Sequence, residues 1–290
     1  MLQSGSHMHY FRPRTIDEAL VVLGECRPKI LAGGTDFWPA LRDRPVRGPV
    51  LDITAIDAMR GISRNGRAWR IGALATWTDL RHADLPQAFD ALKQAAREVG
   101  SVQIQNRATI AGNLCNASPA ADGVPALLIL DATVVMASAT GERRMPLGEF
   151  VLGNRRTALA PDEIVTAIEV PESATSGASV FAKLGARKYL VISIASVAVR
   201  LACGADGSVD HAAVAVGACS EAPQRLTHLE TELRGQVVEQ LAERRFVVSP
   251  DHLAGLSPID DVRAPAGYRI DAAAAMVSRA LAAAAQAVRA

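Results

Sequence analysis

The residues best suited to chemistry fall in two segments of small and polar residues. The first is Ala32-Gly33-Gly34-Thr35-Asp36, directly after an apolar run that ends at Leu31. Adjacent glycines let successive backbone N–H groups point one way and make an anion-binding nest. Thr35 adds a hydroxyl donor, and Asp36 could cap a following helix whose N-terminus favours a phosphate. The pattern is not G-x-G-x-x-G, so a Rossmann nicotinamide site is not indicated. Taken alone, the segment also fits a tight strand-to-helix turn. The second segment is residues 109–122, TIAGNLCNASPAAD, which includes Thr109, Ile110, Ala111, Gly112, Asn113, Cys115, Ala117 and Asp122. Its hydroxyls, amides and open backbone suit an extended, polar, phosphorylated ligand. Gly112 and Asn113 can take positive φ, and Ser118-Pro119 makes a fixed corner.

The elements that must position these segments are legible as periodic runs. Residues 15–26 open like a helix, with Thr15 as cap and a stripe of Ala19, Leu20 and Leu23. Residues 29–32 form a short strand, a second helix runs from Asp36 through Trp38 to Arg42, and residues 50–53 form the next strand. Residues 69–74 are strand-like, 75–80 lead into a turn or short helix, and 86–99 have helical periodicity. Residues 100–123 show little periodicity and are expected to be a long loop, which inside a compact domain is usually functional. An apolar helix (124–130) and a strand (133–137) follow. Beyond Glu163 the pattern changes to strands at 164–170, 179–184, 192–201 and 209–216, then an Ala-rich helix over 264–290. A boundary is expected within residues 171–177, PESATSG.

Composition narrows the function classes. The 290 residues are 49% hydrophobic and 21% charged, with 31 Lys plus Arg against 30 Asp plus Glu. A formal charge of +1 gives no electrostatic reason to expect a nucleic-acid or membrane partner. No apolar run is long enough to span a bilayer. The start lacks a secretory pattern. Residues 1–7 read as a vector-derived scar, with the natural start near Met8. Cys26, Cys115, Cys203 and Cys219 include no C-x-x-C pair, which argues against a closed zinc or iron–sulfur centre and suits a reducing cytoplasm. His211 and His228 read as single, unpartnered surface residues.

Taken together, LAGGTD and TIAGNLCNASPAAD resemble the FAD-binding medium subunit of the xanthine dehydrogenase and carbon monoxide dehydrogenase (molybdenum hydroxylase) family. Three further stretches carry the likeness. These are Phe11-Arg12-Pro13 with Thr15-Ile16-Asp17-Glu18-Ala19, Pro161-Asp162-Glu163-Ile164 with Ile168-Glu169-Val170-Pro171, and Phe181-Ala182-Lys183-Leu184-Gly185-Ala186-Arg187 with Ile192-Ser193-Ile194-Ala195. The resemblance covers roughly residues 8–290. It implies an α+β fold: a two-subdomain FAD-binding domain of the PCMH (vanillyl-alcohol-oxidase-like) type over 8–174, with subdomains at about 8–60 and 61–174. A smaller C-terminal domain of antiparallel sheet plus helices, like that of CO dehydrogenase flavoproteins, is implied over 175–290.

The resemblance also implies roles. Leu31, Ala32, Gly33, Gly34, Thr35 and Asp36 would form one wall around the FAD diphosphate. Thr109, Ile110, Ala111, Gly112 and Asn113, with Cys115 and Ala117, would form the other. Asp122 would contact the sugar-like portion, or else cap the following helix. Lys183 would lie near the flavin ring, and Ile164 or Val165 would make apolar contact. Trp38 and Trp77 are expected to pack rather than stack on flavin. Many relatives have glycine where Ala111 stands. If that position needed positive φ, alanine would cost about 1 kcal/mol, and with negative φ it is harmless. One branch of the family carries a cysteine-rich insertion for an extra cluster. No such insertion is present, so FAD is the expected sole cofactor here. Molybdopterin and 2Fe-2S clusters would sit on a large and a small partner subunit of a heterotrimer or a dimer of heterotrimers, in the cytoplasm. Electrons would run from the clusters through FAD to NAD, oxygen, a quinone or another carrier. No residue of this chain is expected to act on the organic substrate. The alternatives are a self-sufficient flavoprotein reductase or oxidase and a non-redox scaffold subunit.

Overall fold

The computed structural model describes residues 9–289, so the scar expected at 1–7 lies outside the described residues. The first lobe runs β1 (Tyr10–Phe11), α1 (Ile16–Cys26), β2 (Lys29–Leu31), α2 (Phe37–Leu41) and β3 (Val50–Asp52). Its strands form a parallel sheet in the order β1-β3-β2. Thr15 caps α1 as the sequence indicates, its hydroxyl accepting from the Glu18 N–H at 3.2 Å.

The second lobe holds β4 (Ile62–Asn65), β5 (Ala68–Gly72), α3 (Trp77–His82), α4 (Asp90–Glu98), α5 (Val102–Gln105), α6 (Ile110–Asn116) and α7 (Gly123–Leu128). It continues with β6 (Thr133–Ser138), β7 (Gly141–Pro146), α8 (Leu147–Phe150), β8 (Val151–Gly153), β9 (Arg156–Thr157) and β10 (Ile164–Pro171). An antiparallel sheet in the order β4-β5-β10-β6-β7 backs the helices. One apolar core joins the two lobes, with Leu51, Ile56, Ile71, Trp77, Phe89, Leu114 and Ile168 all fully buried.

The third lobe is an antiparallel sheet of β11 (Ala178–Leu184), β12 (Ala195–Cys203), β13 (Val209–Gly217) and β14 (Gln224–Arg225), with α9 (Thr227–Leu233), α10 (Val238–Ala242) and α11 (Ala266–Arg289). The Ala-rich α11 buries Ala273, Val277, Ala280, Leu281, Ala284 and Ala285 in a second core. These residues recur at three- and four-residue intervals and form one apolar face.

Three expectations change. Residues 100–123 are not an open loop: α5 and α6 occupy much of the segment, capped by Ser101 and Thr109. Gly112 and Asn113 lie inside α6 and take no positive φ; the left-handed residue that ends α6 is Ala117, at φ +45°. The strand expected from Ile192 begins at Ala195.

The junction between the first two lobes and the third lobe is polar as well as apolar. Arg200 of β12 is fully buried and donates to the carbonyl of Ile129 at 2.8 Å. Arg225 donates to the carbonyl of Leu128 and to Asp131, both at 2.8 Å. The Ser179 hydroxyl of β11 accepts from the Ala91 N–H of α4 at 2.8 Å, which ties the third-lobe sheet to the second lobe.

Candidate functional site

A cavity of about 770 Å³ lies between the first and second lobes. That volume falls within the range of small-molecule sites, about 300–1,000 Å³. One wall is residues 32–37 with Pro39 and Ala40; the other includes Trp77, Val99, Ile104, Thr109, residues 111–113, Cys115 and Asn116, with Ile164 and Val165 at the start of β10.

The walls are built by backbone closeness. The side-chain-free face of Gly33 is pressed on the Arg107 backbone, where an added Cβ would stand 2.0 Å from the Arg107 oxygen. Gly34 takes φ +77°, a left-handed conformation that side chains disfavour, and the Trp38 indole covers it. On the facing wall the helix starts of α3 and α6 stand side by side, since Thr76 and Thr109 bridge and the Ile110 N–H donates to the Ala75 carbonyl at 3.0 Å. The Thr109 hydroxyl accepts from the Gly112 N–H at 3.0 Å. Ala111 has ordinary helical geometry, so alanine costs nothing there.

Ile164 and Val165 are held by the turn before them. The half-exposed Arg143 grips the buried Glu163 through two nitrogens, and Glu163 accepts from the Ala160 N–H at 2.7 Å. The Arg143 hydrogen bond keeps the Glu163 carboxyl below the usual carboxylate range, against its burial.

A second, more polar cavity of about 500 Å³ meets the first at Ala32, Gly33 and Thr109. Arg12, Asp52, Arg60, Asn106 and Arg107 line it. Burial pushes the Asp52 carboxyl up, but hydrogen bonds from Thr54 and Tyr10, with Arg12 nearby, hold it below the usual range. A two-part recess that joins at a glycine loop suits an elongated ligand with a polar waist.

Residues 6–173 match the family described as FAD binding domain in molybdopterin dehydrogenase, and residues 181–284 match the CO dehydrogenase flavoprotein C-terminal domain. The chain belongs to this family. It is 40% identical over 193 residues to the nicotinate dehydrogenase FAD-subunit of Eubacterium barkeri, an alignment covering 64% of this chain and 65% of that protein. It is 31% identical over 289 residues to the 6-hydroxypseudooxynicotine dehydrogenase complex subunit alpha of Paenarthrobacter nicotinovorans, covering 92% of this chain and 91% of that one. Among solved structures, carbon monoxide dehydrogenase from Hydrogenophaga pseudoflava, in a form lacking the Mo-pyranopterin moiety, superposes with a TM-score of 0.87 at 29% identity, over 97% of this chain and 98% of that one. The chain is thus an oxidoreductase subunit of the molybdenum hydroxylase type, FAD is its cofactor, and the α+β fold read from the sequence stands.

The cleft fits a flavin dinucleotide by its own chemistry. The residues Asn113 and Trp77 line the cleft, and Asn113 Oδ1 and Trp77 Nε1 are buried in its wall with no hydrogen-bond partner among the described residues. Buried polar atoms are rarely left so, which marks this wall of the cleft as one with polar capacity that the chain itself does not use. Ala32, Gly33, Gly34, Thr35, Asp36, Thr109, Ala111, Gly112, Asn113, Cys115, Ile164 and Val165 all line the cleft. Leu31, Ile110 and Ala117 do not; they are buried behind its walls. Trp77 is fully buried and packs against Gly123, while Trp38 is half exposed and meets Phe37 edge-on.

Asp36 and Asp122 cap nothing: neither side chain makes a cap hydrogen bond. Asp36 accepts from Asn116 Nδ2 at 3.0 Å, across the cleft. Asp122 is buried and accepts from Lys183 Nζ at 2.6 Å and from the Ser193 hydroxyl at 2.5 Å. Neither Asp122 nor Lys183 lines the large cavity. Burial pushes the Asp122 carboxyl up, opposed by Lys183. Sequence reasoning missed Val99, Ile104, Asn116, Arg155 and Leu159 as lining residues.

His228 is not unpartnered. Its Nε2 lies 3.3 Å from Glu232, which also meets His252 Nε2 at 2.9 Å. Histidine and glutamate donors so close together could hold a metal ion. However, the Ser249 N–H donates to His252 Nδ1 at 3.0 Å. In the neutral ring that leaves the proton on Nε2, pointing at Glu232. The cluster is therefore satisfied as a hydrogen-bonded clamp between α9 and the 249–253 turn.

Proposed function

We propose that this chain carries FAD in the interlobe cleft and relays electrons within a heterotrimeric molybdenum hydroxylase. The diphosphate would lie where Gly33 and Gly34 face Thr109, Ala111, Gly112 and Asn113, with Ile164 and Val165 against the apolar parts of the cofactor. The observation that carries this reading is the meeting of the two cavities at Gly33 and Thr109, beside the unsatisfied Asn113 Oδ1. Bound FAD would supply the redox chemistry, and the protein supplies binding, orientation and electrostatics. Buried Trp77 and the apolar Val99, Ile104 and Ile164 would keep water from one side of the ligand. The Lys183–Asp122 pair would fix the C-terminal domain, 175–290, against the cofactor domain, 8–174, rather than touch the phosphates.

In the assembled enzyme, a small 2Fe-2S subunit would deliver electrons to FAD and a large molybdopterin subunit would hydroxylate the substrate. A terminal acceptor (NAD, oxygen, a quinone or another carrier) would collect them. Relatives named as a FAD-subunit and as a subunit of a dehydrogenase complex support partner chains, and a heterotrimer or its dimer is the assembly proposed. No helix among the described residues is long and apolar enough to cross a membrane, which is consistent with a cytoplasmic place for the assembly.

The test is the visible absorption of the purified chain, with FAD added if it arrives colourless. Near-stoichiometric flavin bands are expected. A colourless chain that ignores excess FAD, alone and when co-expressed with candidate partner subunits, would overturn the reading.

A further inference from the structure

The polar chain across the cleft mouth runs Asp36–Asn116–Arg155. Asn116 Nδ2 donates to Asp36 Oδ1, and Arg155 Nη1 donates to the Asn116 side-chain oxygen and, at 3.3 Å, to its backbone carbonyl. Arg155 is the one cationic side chain among the described residues that line the cleft, and Asp36 is the one anionic side chain. The guanidinium has no carboxylate partner among the described residues, and its Nε and Nη2 donate to nothing there. A guanidinium carries five N–H donors in a fixed fork suited to phosphate, so most of its capacity is unspent.

The backbone is bent to place it. Arg155 takes φ +58° in the turn between β8 and β9, and its N–H donates at 2.8 Å to the carbonyl of Ala117, itself left-handed at φ +45°. Two non-glycine residues in that region each carry a cost, on the order of 1 kcal/mol. The outcome is a guanidinium one amide side chain away from Asp36, which follows directly on Gly33-Gly34-Thr35.

We infer that Arg155 is an anion clamp that pairs with the diphosphate of the bound dinucleotide, an inference that rests on the FAD reading above. The diphosphate brings negative charge beside Asp36, the other charged side chain of the first cavity, which would repel it; the arginines Arg12, Arg60 and Arg107 line the second cavity, on the far side of Gly33 and Thr109. Within the first cavity Arg155 supplies the opposite charge, and Asn116 holds Asp36 aside.

The test uses the full chain stripped of flavin, as wild type, Arg155→Ala and Arg155→Lys. FAD affinity is read by fluorescence titration, and ADP, which keeps the diphosphate and lacks the flavin, by competition. Arg155→Ala should weaken FAD and ADP by the same factor, about 10- to 100-fold, the scale of one charge-assisted hydrogen bond. Arg155→Lys should fall between, and the wild-type advantage should shrink with added salt. Unchanged FAD affinity in Arg155→Ala, with its thermal melt intact, overturns the clamp. So does a variant that binds ADP normally but shifts the flavin midpoint potential, since that puts Arg155 at the ring. A wild type that binds no FAD overturns the flavin reading itself, and the clamp with it.

Discussion

The buried pair of Lys183 and Asp122 makes a quantitative prediction about how the third lobe is held. Their side chains are 8% and 6% exposed, and the Nζ to Oδ2 distance is 2.6 Å. Lys183→Met removes the cation and leaves a buried carboxylate with the Ser193 hydroxyl as its remaining side-chain donor. Breaking one partner of a buried pair costs about 3–5 kcal/mol. Asp122 limits that cost by taking up a proton, because burial already pushes its carboxyl up. Each pH unit above the folded pKa makes that protonation dearer by about 1.4 kcal/mol. An acid with a raised folded pKa binds its proton more tightly when folded, so its stabilising protonation is lost as pH rises through that value. The deficit of Lys183→Met in urea unfolding should therefore be near 3 kcal/mol at pH 8 and clearly smaller at pH 5. Adding Asp122→Asn should recover part of the pH 8 loss, since a neutral amide needs no counter-charge. Urea melts of the flavin-free single and double variants at both pH values measure this. An equal deficit at the two pH values, with purely additive single effects, would refute electrostatic pairing and leave only packing.

Other perturbations test the walls and the junction. Gly33→Ala puts a methyl 2.0 Å from the Arg107 oxygen, and van der Waals contact needs more than an ångström of retreat. Overpacking of this kind costs about 1–3 kcal/mol, so both Tm by calorimetry and FAD affinity should fall; wild-type values for both would free that wall from its proposed close packing. Asp261→Asn removes the carboxylate charge and one of its two acceptor oxygens from beside Arg263 and the buried Arg269, which Asp261 meets at 2.6 Å. The Arg263 hydrogen bond holds the Asp261 carboxyl far below its ordinary 3.8, so its stabilisation is present at neutral pH and lost as pH falls below that ordinary value. The variant should lose about 3 kcal/mol near pH 7 and show a weaker acid limb in thermal melts. Arg200→Met should leave the Ile129 carbonyl without its donor and cost about 1–3 kcal/mol. Faster protease cutting in the 171–177 connection would report the loosened junction, and an unchanged cutting rate would count against this role for Arg200.

The site was legible where chemistry and chain order coincide. Gly33 and Gly34 follow a strand and precede a helix, so their use as a wall could be read without neighbours, although the oxygen that demands Gly33 belongs to Arg107, far along the chain. Residues 100–123 misled because α5 and α6 are too short for apolar periodicity to appear. Ser101 and Thr109, each three residues before the N–H it accepts, were the only local signs of helix. The aspartates misled for a different reason. Each stands where a cap would, but a cap competes with longer-range donors, and Asn116 and Lys183 take Asp36 and Asp122 instead. Arg155 left no local sign at all. Its positive φ and its place at the cleft come from a backbone hydrogen bond to Ala117, a residue whose own left-handed turn has no glycine to announce it. Short-range pattern thus located the walls of the cleft, while the charges that would meet a ligand there were set by contacts that only the folded chain makes.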